Sequence, residues 1–143
     1  MLIGEYKHSL DDKGRLAIPI KFRKELLKGA VITRGLDNCL YVYAISEWNK
    51  LAGKIASLPI SKANTRAFAR LMLAGAMDVS LDTQGRVILP EYLREYAKVS
   101  KKVVITGLIT HLEIWDLSSW EKYKKATEKD SNTIAEALDG LDV

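Results

Sequence analysis

The stretch LDDKGRLAIPI, residues 10–20, returns in altered form as LDTQGRVILPE at residues 81–91. Each copy holds an Asp and an Arg four positions apart, with a Gly immediately before the Arg. An Asp followed by polar residues and Gly is typical of a tight turn, and the apolar residues after the Arg favour a short strand. The chain is therefore expected to contain two related halves. A shift of 71 positions pairs Leu10, Asp11, Gly14, Arg15 and Pro19 with Leu81, Asp82, Gly85, Arg86 and Pro90.

A second pair of segments extends the repeat beyond each turn. A shift of 72 positions aligns GLDNCLYVYAISEW, residues 35–48, with GLITHLEIWDLSSW, residues 107–120. Both segments are rich in β-branched and aromatic residues, which predicts strands. Each half then has four short strands and one short helix in about 45 residues, too few to bury a stable core alone. We expect an α+β fold in which the two halves interleave their strands in a β-barrel with pseudo-two-fold symmetry, flanked by helices.

The repeat divides the chain into four segments. Residues 1–58 are predicted to form the first half and residues 77–126 the second half. Residues 59–76 are predicted to form a linker helix between them. Residues 127–143 are predicted to form an acidic C-terminal helix or tail.

Several serines precede helical patterns and are predicted to cap them. Ser46 stands before the helix that ends the first half and Ser61 before the linker helix, and Ser118 with Glu121 has the spacing of a capping box. The last helix has an apolar stripe, which indicates docking against the protein's own body or a neighbouring copy. The stripe consists of Ile134, Leu138 and Leu141.

The composition indicates one soluble globular unit and excludes several function classes. The chain is 48% hydrophobic and 28% charged, no apolar run is long enough to cross a bilayer, and the start MLIGEYKHS does not resemble a signal peptide. Cys39 is the single cysteine, so no internal disulfide can form. With only His8 and His111 to join it, no familiar metal site can be written.

The charge is distributed unevenly along the chain. Residues 1–77 hold 13 Lys and Arg against six Asp and Glu, whereas residues 126–143 hold one Lys against five acidic residues. A basic body attracts a polyanion such as nucleic acid, because neutralised phosphates release their counterions. Many domains with a net charge near +4 nevertheless bind no nucleic acid, so charge alone leaves the question open.

The residue types shared by the two turns have a local structural role. Asp11 and Asp82 are expected to accept hydrogen bonds from backbone N–H groups two residues on, as in an Asx turn. Gly14 and Gly85 can adopt the positive φ that closes a short hairpin loop. These four residues are predicted to form the turns. An Asp and an Arg four positions apart across such a turn can also approach each other, so that the carboxylate orients the guanidinium; the alternative is that the aspartates only make the turn.

The arginines after the turns are the best candidates for contacting DNA. A two-stranded ribbon fits the major groove, and an Arg at its end can form bidentate bonds to guanine, worth about 1–3 kcal/mol of discrimination. Arg15 and Arg86 are the predicted base-reading residues, with Arg15 the stronger candidate. Lys13 in the first turn can bind phosphate, and Thr83 and Gln84 in the second can read a base edge or hold the backbone.

Other basic residues are weaker candidates. Lys7 lies close to the first turn in sequence and is included as a phosphate contact. The neighbouring basic residues are as readily explained as a solvated face. They are Lys21, Arg23 and Lys24 near the first turn, and Lys62, Arg66 and Arg70 on one face of the linker helix.

The tandem DxxxR turns, the Pro after each short strand and the segment RGLDNCLYVY at residues 34–43 resemble the MraZ family of bacterial proteins. That family is related to the AbrB and MazE group of swapped-hairpin DNA binders, and the resemblance covers nearly the whole chain. It implies a cytoplasmic, nucleoid-associated transcription regulator. It also implies binding to direct repeats in promoter DNA ahead of the division and cell-wall gene cluster, by a ring-shaped homo-oligomer.

Two other function classes compete with DNA binding. An antitoxin-like module could use the basic face or the acidic tail to hold another protein. An enzyme is disfavoured because no nucleophile, phosphate loop or histidine base accompanies the two aspartates, and Asp beside Arg stays ionised. The sequence implies no cofactor and no metal, and it leaves open whether binding represses or activates transcription.

Overall fold

The computed structural model describes residues 1–143. Its two halves contain strands and helices in the same order along the chain. The strands are β1 (Ile3–Ser9), β2 (Arg15–Ala17), β3 (Ala30–Arg34), β4 (Leu40–Ala44), β5 (Met77–Val79), β6 (Arg86–Ile88), β7 (Lys102–Leu108) and β8 (Leu112–Asp116). The α-helices are α1 (Ile20–Leu26), α2 (Ile45–Ala56), α3 (Ala63–Ala69), α4 (Glu91–Tyr96), α5 (Leu117–Lys129) and α6 (Ser131–Glu136). A 3-10 turn at Leu36–Asn38 and a π-helical segment at Arg70–Ala74 complete the chain.

The halves exchange their first strands within an antiparallel sheet. The strand order is β1-β7-β8-β4-β3-β5, so β1 of the first half pairs with β7 of the second, and β5 of the second pairs with β3 of the first. β4 and β8, which are equivalent under the repeat, are neighbours at the centre of the sheet. The strands of the two halves therefore interleave, and the strand order stays the same when equivalent strands of the two halves are exchanged.

The strands do not close into the predicted barrel. β1 and β5 form the two opposite edges of the six-stranded sheet, and β2 and β6 pair with each other as a separate ribbon. A single isolated bridge between Leu10 and Leu16 links this ribbon to the end of β1. Because β2 and β6 pair mainly with each other and only this one bridge joins them to β1, the edges of the six-stranded sheet stay open.

The ribbon of β2 and β6 covers one face of the sheet and seals the core. Leu16 and Val87 stand opposite each other in the ribbon and point inward, where both are buried. Phe22 of α1 and Leu93 of α4 are buried in the same cluster. Tyr6 of β1 packs against this cluster, and Leu2 and Leu10 at the two ends of β1 belong to it.

The opposite face of the sheet carries the longer helices. α2 packs on β3 and β4, and α5 packs on β7 and β8. Trp48 of α2 lies 5.9 Å from Tyr43 between ring centroids, and Trp120 of α5 lies 5.4 Å from Trp115. The matched tryptophans thus anchor equivalent helices to the sheet.

The helices begin differently from the prediction. α2 begins at Ile45 and α5 at Leu117, so Ser46 and Ser118 lie inside the first turn, and α3 begins after Lys62 instead of after Ser61. None of these starts has a capping hydrogen bond from a side chain. β4 and β8 run directly into α2 and α5, so the sheet fixes where those helices start. None of the helices combines the length and apolar character needed to span a bilayer.

Candidate nucleic-acid interface

The first charged turn is held together by its own aspartate. Asp11 Oδ1 accepts hydrogen bonds from the backbone N–H groups of Lys13 and Arg15, each at 2.9 Å. Asp11 Oδ2 accepts a hydrogen bond from Nε of Arg15 at 2.5 Å. Gly14 has a φ of +76° and donates its N–H to the carbonyl of Asp11 at 3.0 Å. This one carboxylate both closes the Asx turn and orients the guanidinium four residues later.

The second turn repeats this arrangement. Asp82 Oδ1 accepts from the backbone N–H groups of Gln84 and Arg86 at 2.9 Å, and Asp82 Oδ2 accepts from Nε of Arg86 at 2.8 Å. Gly85 has the same φ of +76°. The two turns therefore present their arginines with the same local geometry despite different residues at the tip.

The turns keep their carboxylates ionised. The backbone N–H of Arg15 is the main cause that lowers the pKa of Asp11, and the backbone N–H of Arg86 does the same for Asp82. The guanidinium hydrogen bond adds to this effect in each turn. Each aspartate is therefore a fixed anion at neutral pH, as an arginine-orienting group must be.

The ribbon places the two arginines side by side on its outer surface. In the pairing of β2 with β6, Arg15 stands opposite Ile88 and Arg86 stands opposite Ala17. Because the alternate residues Leu16 and Val87 point into the core, both arginines point outward. Their side chains are 30% and 27% exposed, and Nη1 of Arg86 also lies 3.9 Å from Oδ2 of Asp11. Both guanidiniums are partly open to solvent, and that of Arg86 also lies near a carboxylate of the other half.

The flanking residues divide into two groups. Lys13, Thr83 and Gln84 are exposed at the tips of the turns, next to the arginines. Lys7 lies elsewhere: it shares the side of β1 with Glu5, which is bound by Trp120 and Lys124 of α5. The structure therefore does not bring Lys7 together with Arg15 and Arg86.

Two arginines that the sequence interpretation underrated belong to the turns. Nε of Arg23 in α1 donates to the carbonyl of Ile18 at 2.8 Å, and Nε of Arg94 in α4 donates to the carbonyl of Leu89 at 3.0 Å. The shift of 71 positions that matches the turns also pairs Arg23 with Arg94. The repeat, followed eight residues past each turn arginine, is the sequence signal that marks both.

The remaining candidates have local partners. Lys21 lies over the rings of Tyr6 and Phe22, at 5.6 and 5.4 Å from their centroids. Arg66 donates to the carbonyl of Ile60 at 2.8 Å, next to α3. Burial lowers the pKa of His8 and His111, and His111 stacks on Tyr43 with 4.9 Å between ring centroids. In both cases the packing disfavours the charged imidazolium form.

Comparison with known proteins shows the family. A sequence model of the family described as "MraZ protein, putative antitoxin-like" matches residues 1–71 and again residues 72–141. The chain is 47% identical over 143 residues to the protein named Transcriptional regulator MraZ of Caldanaerobacter subterraneus subsp. tengcongensis, with 100% of both chains covered. It is 48% identical, over the same length and coverage, to the protein of that name from Moorella thermoacetica. Two successive matches to one family pattern and full-length similarity establish that the chain belongs to the MraZ family.

Proposed function

We propose that this protein is a sequence-specific DNA-binding transcriptional regulator, acting in the cytoplasm in association with the nucleoid and without enzymatic activity. One observation carries the proposal: two carboxylate-oriented arginines lie side by side on the outer surface of a two-stranded antiparallel ribbon. Such a ribbon has the dimensions of an element that enters the major groove. The names of the relatives, which describe transcriptional regulators, support the same conclusion.

The proposed roles follow from chemistry and position. Arg15 and Arg86 form bidentate bonds to guanine O6 and N7, because a guanidinium held by its Nε leaves its outer N–H groups free to donate. Lys13 binds a phosphate, and Thr83 and Gln84 contact a base edge or the backbone beside Arg86. The difference at the two tips makes the halves unequal, so one chain reads an asymmetric sequence.

The exchange of first strands between halves supports the finer assignment to the swapped-hairpin group that includes AbrB and MazE. In this interpretation residues 1–58 and 77–126 are two half-folds joined by the helical segment 59–76. Neither half has a complete sheet without the other. The pseudo-two-fold axis between the turns then plays the part that a dimer axis plays in a homodimeric DNA binder.

We further propose that several copies assemble into a ring, which binds direct repeats in the promoter ahead of the division and cell-wall gene cluster. Exposed apolar side chains on α1 and in the tail support self-association: Ile20 is 79% exposed and Leu27 72% exposed, and Ile134, Leu138 and Leu141 are exposed as well. Several turns on one assembly, each of which binds DNA weakly, can bind neighbouring DNA repeats at the same time. This raises the overall affinity without new contacts. Occupancy of the promoter then changes access for RNA polymerase.

A mobility-shift titration with the protein's own promoter over a salt series tests the DNA proposal. The variant Arg15→Ala/Arg86→Ala is expected to lose at least about thirtyfold in affinity, since each bidentate contact is worth about 1–3 kcal/mol. The matched control is Lys54→Ala/Lys129→Ala, which removes two exposed cations from α2 and α5 and leaves the ribbon intact. Promoter binding by the arginine variant equal to that of the wild type contradicts the proposal.

An antitoxin-like interaction module remains the second candidate, favoured by the family description and by the exposed acidic tail. It predicts a protein partner whose binding depends on residues 127–143 and not on the arginine turns. Deletion of that tail distinguishes the two functions. DNA binding at the turns survives the deletion, reduced at most by the avidity that the ring contributes, whereas partner binding through the tail is lost altogether.

A further inference from the structure

The arginine of each short helix packs under the turn of the opposite half. A Cβ atom built on Gly85 would overlap Nε and Cζ of Arg23, which belongs to α1 of the first half. A Cβ atom built on Gly14 would lie 3.2 Å from Cζ of Arg94, which belongs to α4 of the second half. Each guanidinium therefore lies directly against the glycine that closes the other half's turn.

Backbone hydrogen bonds connect the same groups. The N–H of Ile18 donates to the carbonyl of Gly85 at 2.9 Å, and the carbonyl of Ile18 accepts the Nε–H of Arg23. In the other half the N–H of Leu89 donates to the carbonyl of Gly14 at 2.9 Å, and Leu89 accepts from Arg94. Each helix arginine thus fixes one residue of the backbone, and that residue fixes the turn of the opposite half.

The turn that is fixed in this way carries the candidate base-reading arginine. Gly85 immediately precedes Arg86, and its N–H donates to the carbonyl of Asp82 at 2.9 Å. A shift of Gly85 therefore moves both the guanidinium and the carboxylate that orients it. A displacement of about 1 Å is enough to break a bidentate contact, whose geometry is narrow.

We propose that Arg23 and Arg94 are positioning residues for DNA recognition, Arg23 for the turn of Arg86 and Arg94 for the turn of Arg15. The inference rests on the proposed DNA-binding function and assigns the support of each reading arginine to the opposite half of the chain. Arg23 and Arg94 are themselves partly buried, with their Nε–H groups bonded within the protein. They act through the turns and not by contacting phosphate.

A double-mutant cycle on promoter DNA tests the crossed assignment. Arg23→Ala is expected to weaken binding about tenfold, within the range of one lost base contact. In the Arg86→Ala background the same change is expected to have almost no further effect, because the arginine that it positions is gone. In the Arg15→Ala background the full factor of about ten is expected to remain. Equal factors in both backgrounds overturn the proposal.

Two further variants separate positioning from charge. Lys24→Ala removes a neighbouring exposed cation of α1 and is expected to leave affinity unchanged. Arg23→Lys keeps the positive charge but lacks the planar fork, so it is expected to bind as weakly as Arg23→Ala. Restoration of wild-type affinity by Arg23→Lys, or an equal loss in Lys24→Ala, assigns Arg23 to simple charge attraction and rejects the positioning role.

Hydrogen exchange of the free, full-length protein provides a readout that does not depend on DNA. Arg23→Ala is expected to accelerate exchange in the peptide that covers residues 82–88 more than in the peptide that covers residues 11–17, and Arg94→Ala is expected to do the reverse. Equal acceleration of both peptides by each variant overturns the crossed support. Failure of the DNA proposal is distinguishable, because it appears as unchanged promoter binding in Arg15→Ala/Arg86→Ala while this exchange pattern persists.

Discussion

Gly14 and Gly85 occupy equivalent positions in the two turns, but they differ in the space that is available for a side chain. Both have a φ of +76°, a left-handed conformation that L-residues with a Cβ rarely adopt. The surroundings differ: Arg94 leaves tight but usable space at Gly14, whereas Arg23 leaves none at Gly85. The two positions therefore separate the cost of the backbone conformation from the cost of the contact.

Gly85→Ala is expected to destabilise the protein more than Gly14→Ala. Both substitutions lose about 1–2 kcal/mol to the left-handed conformation, and Gly85→Ala loses about 1–3 kcal/mol more because Arg23 must move. The measurement is the free energy of unfolding from urea titration. Gly53→Ala is the control: Gly53 lies inside α2, a Cβ atom built there has no neighbour within 4 Å, and the change is expected to stabilise by about 0.5–1 kcal/mol. Equal losses for both turn glycines would contradict the contact with Arg23.

For individual residues, the sequence predicts the geometry of the two turns well. It predicts poorly the contacts that Arg23 and Arg94 make with those turns. The Asx geometry, the positive φ of Gly14 and Gly85 and the pairing of each Asp with its Arg all follow from local chemistry within five residues. The expectation of a solvated face for Arg23 is wrong because its contact lies in the other half of the chain. A contact across more than sixty positions leaves no local pattern, and only the repeat itself marks it.

At the level of secondary-structure elements, the exchanged strand β1 is held by a close backbone contact with β7 of the other half. β1 is an edge strand whose partner, β7, belongs to the other half, and Gly107 of β7 stands opposite Gly4 of β1. A Cβ atom on Gly107 would lie 2.5 Å from the backbone N of Ile3 and from the carbonyl carbon of Leu2. Backbone atoms cannot rotate away, so this close approach fixes β1 against β7.

Gly107→Ala is therefore expected to loosen the exchanged strand. Because the colliding atoms belong to the backbone at the start of β1, we expect a loss of about 1–3 kcal/mol in the free energy of unfolding. Hydrogen exchange localises the effect: amides of residues 3–9 are expected to lose protection, while β3 and β4 keep theirs. Ser9→Ala, an exposed change on the same strand, serves as the control. Protection of residues 3–9 equal to the wild type would show that β1 tolerates the added methyl group.

The elements were predicted more reliably than their connections. β-branched and aromatic residues identified the strands, and the repeat correctly implied that the strands of the two halves interleave. The predicted caps at Ser46, Ser61 and Ser118 were wrong because a sheet strand or a preceding turn fixes each helix start. Barrel closure was wrong because β2 and β6 pair with each other and only the Leu10–Leu16 bridge joins them to the sheet. Strand boundaries, which decide such pairing, are the least certain quantity in a sequence-based assignment.

The molecule as a whole folds from two halves that are each incomplete. The first half lacks a partner for β1, the second lacks a partner for β5, and the ribbon needs one strand from each. Leu16 and Val87, the central pair of that ribbon, are almost fully buried in the complete chain. Stability is therefore a property of the two halves together.

Separate fragments covering residues 1–71 and 72–143 are each expected to be unfolded at micromolar concentration and to regain strand structure when mixed. The reason is that each fragment alone exposes the inner face of its ribbon strand and loses its exchanged neighbour. Circular dichroism of each fragment and of the equimolar mixture measures this. A cooperative thermal transition in either isolated fragment as a monomer would contradict the expectation.

Stability is also expected to fall as the solution becomes mildly acidic. Burial lowers the pKa of His8 and His111 in the folded state, so the unfolded chain takes up protons first, near pH 6.5. Above about pH 6.5 both histidines are neutral in the folded and the unfolded chain, and their contribution to the free energy of unfolding is fully present. This contribution is lost as the pH falls below about 6.5 toward the pKa of the histidines in the folded protein. Urea midpoints at about pH 7.5 and about pH 5.5 measure the loss. His111→Gln is expected to narrow the difference between the two midpoints, and an unchanged difference in that variant would exclude His111 as a cause.

The crossed supports of the two turns constrain how the sequence can change over generations. The sequences of duplicated segments ordinarily diverge, because one copy can change while the other keeps the function. Here Arg23 contacts Gly85 and Arg94 contacts Gly14, so a substitution at either supporting arginine disturbs the turn of the other repeat. The tips lie outside these contacts, and there Asp12 and Lys13 of the first copy correspond to Thr83 and Gln84 of the second.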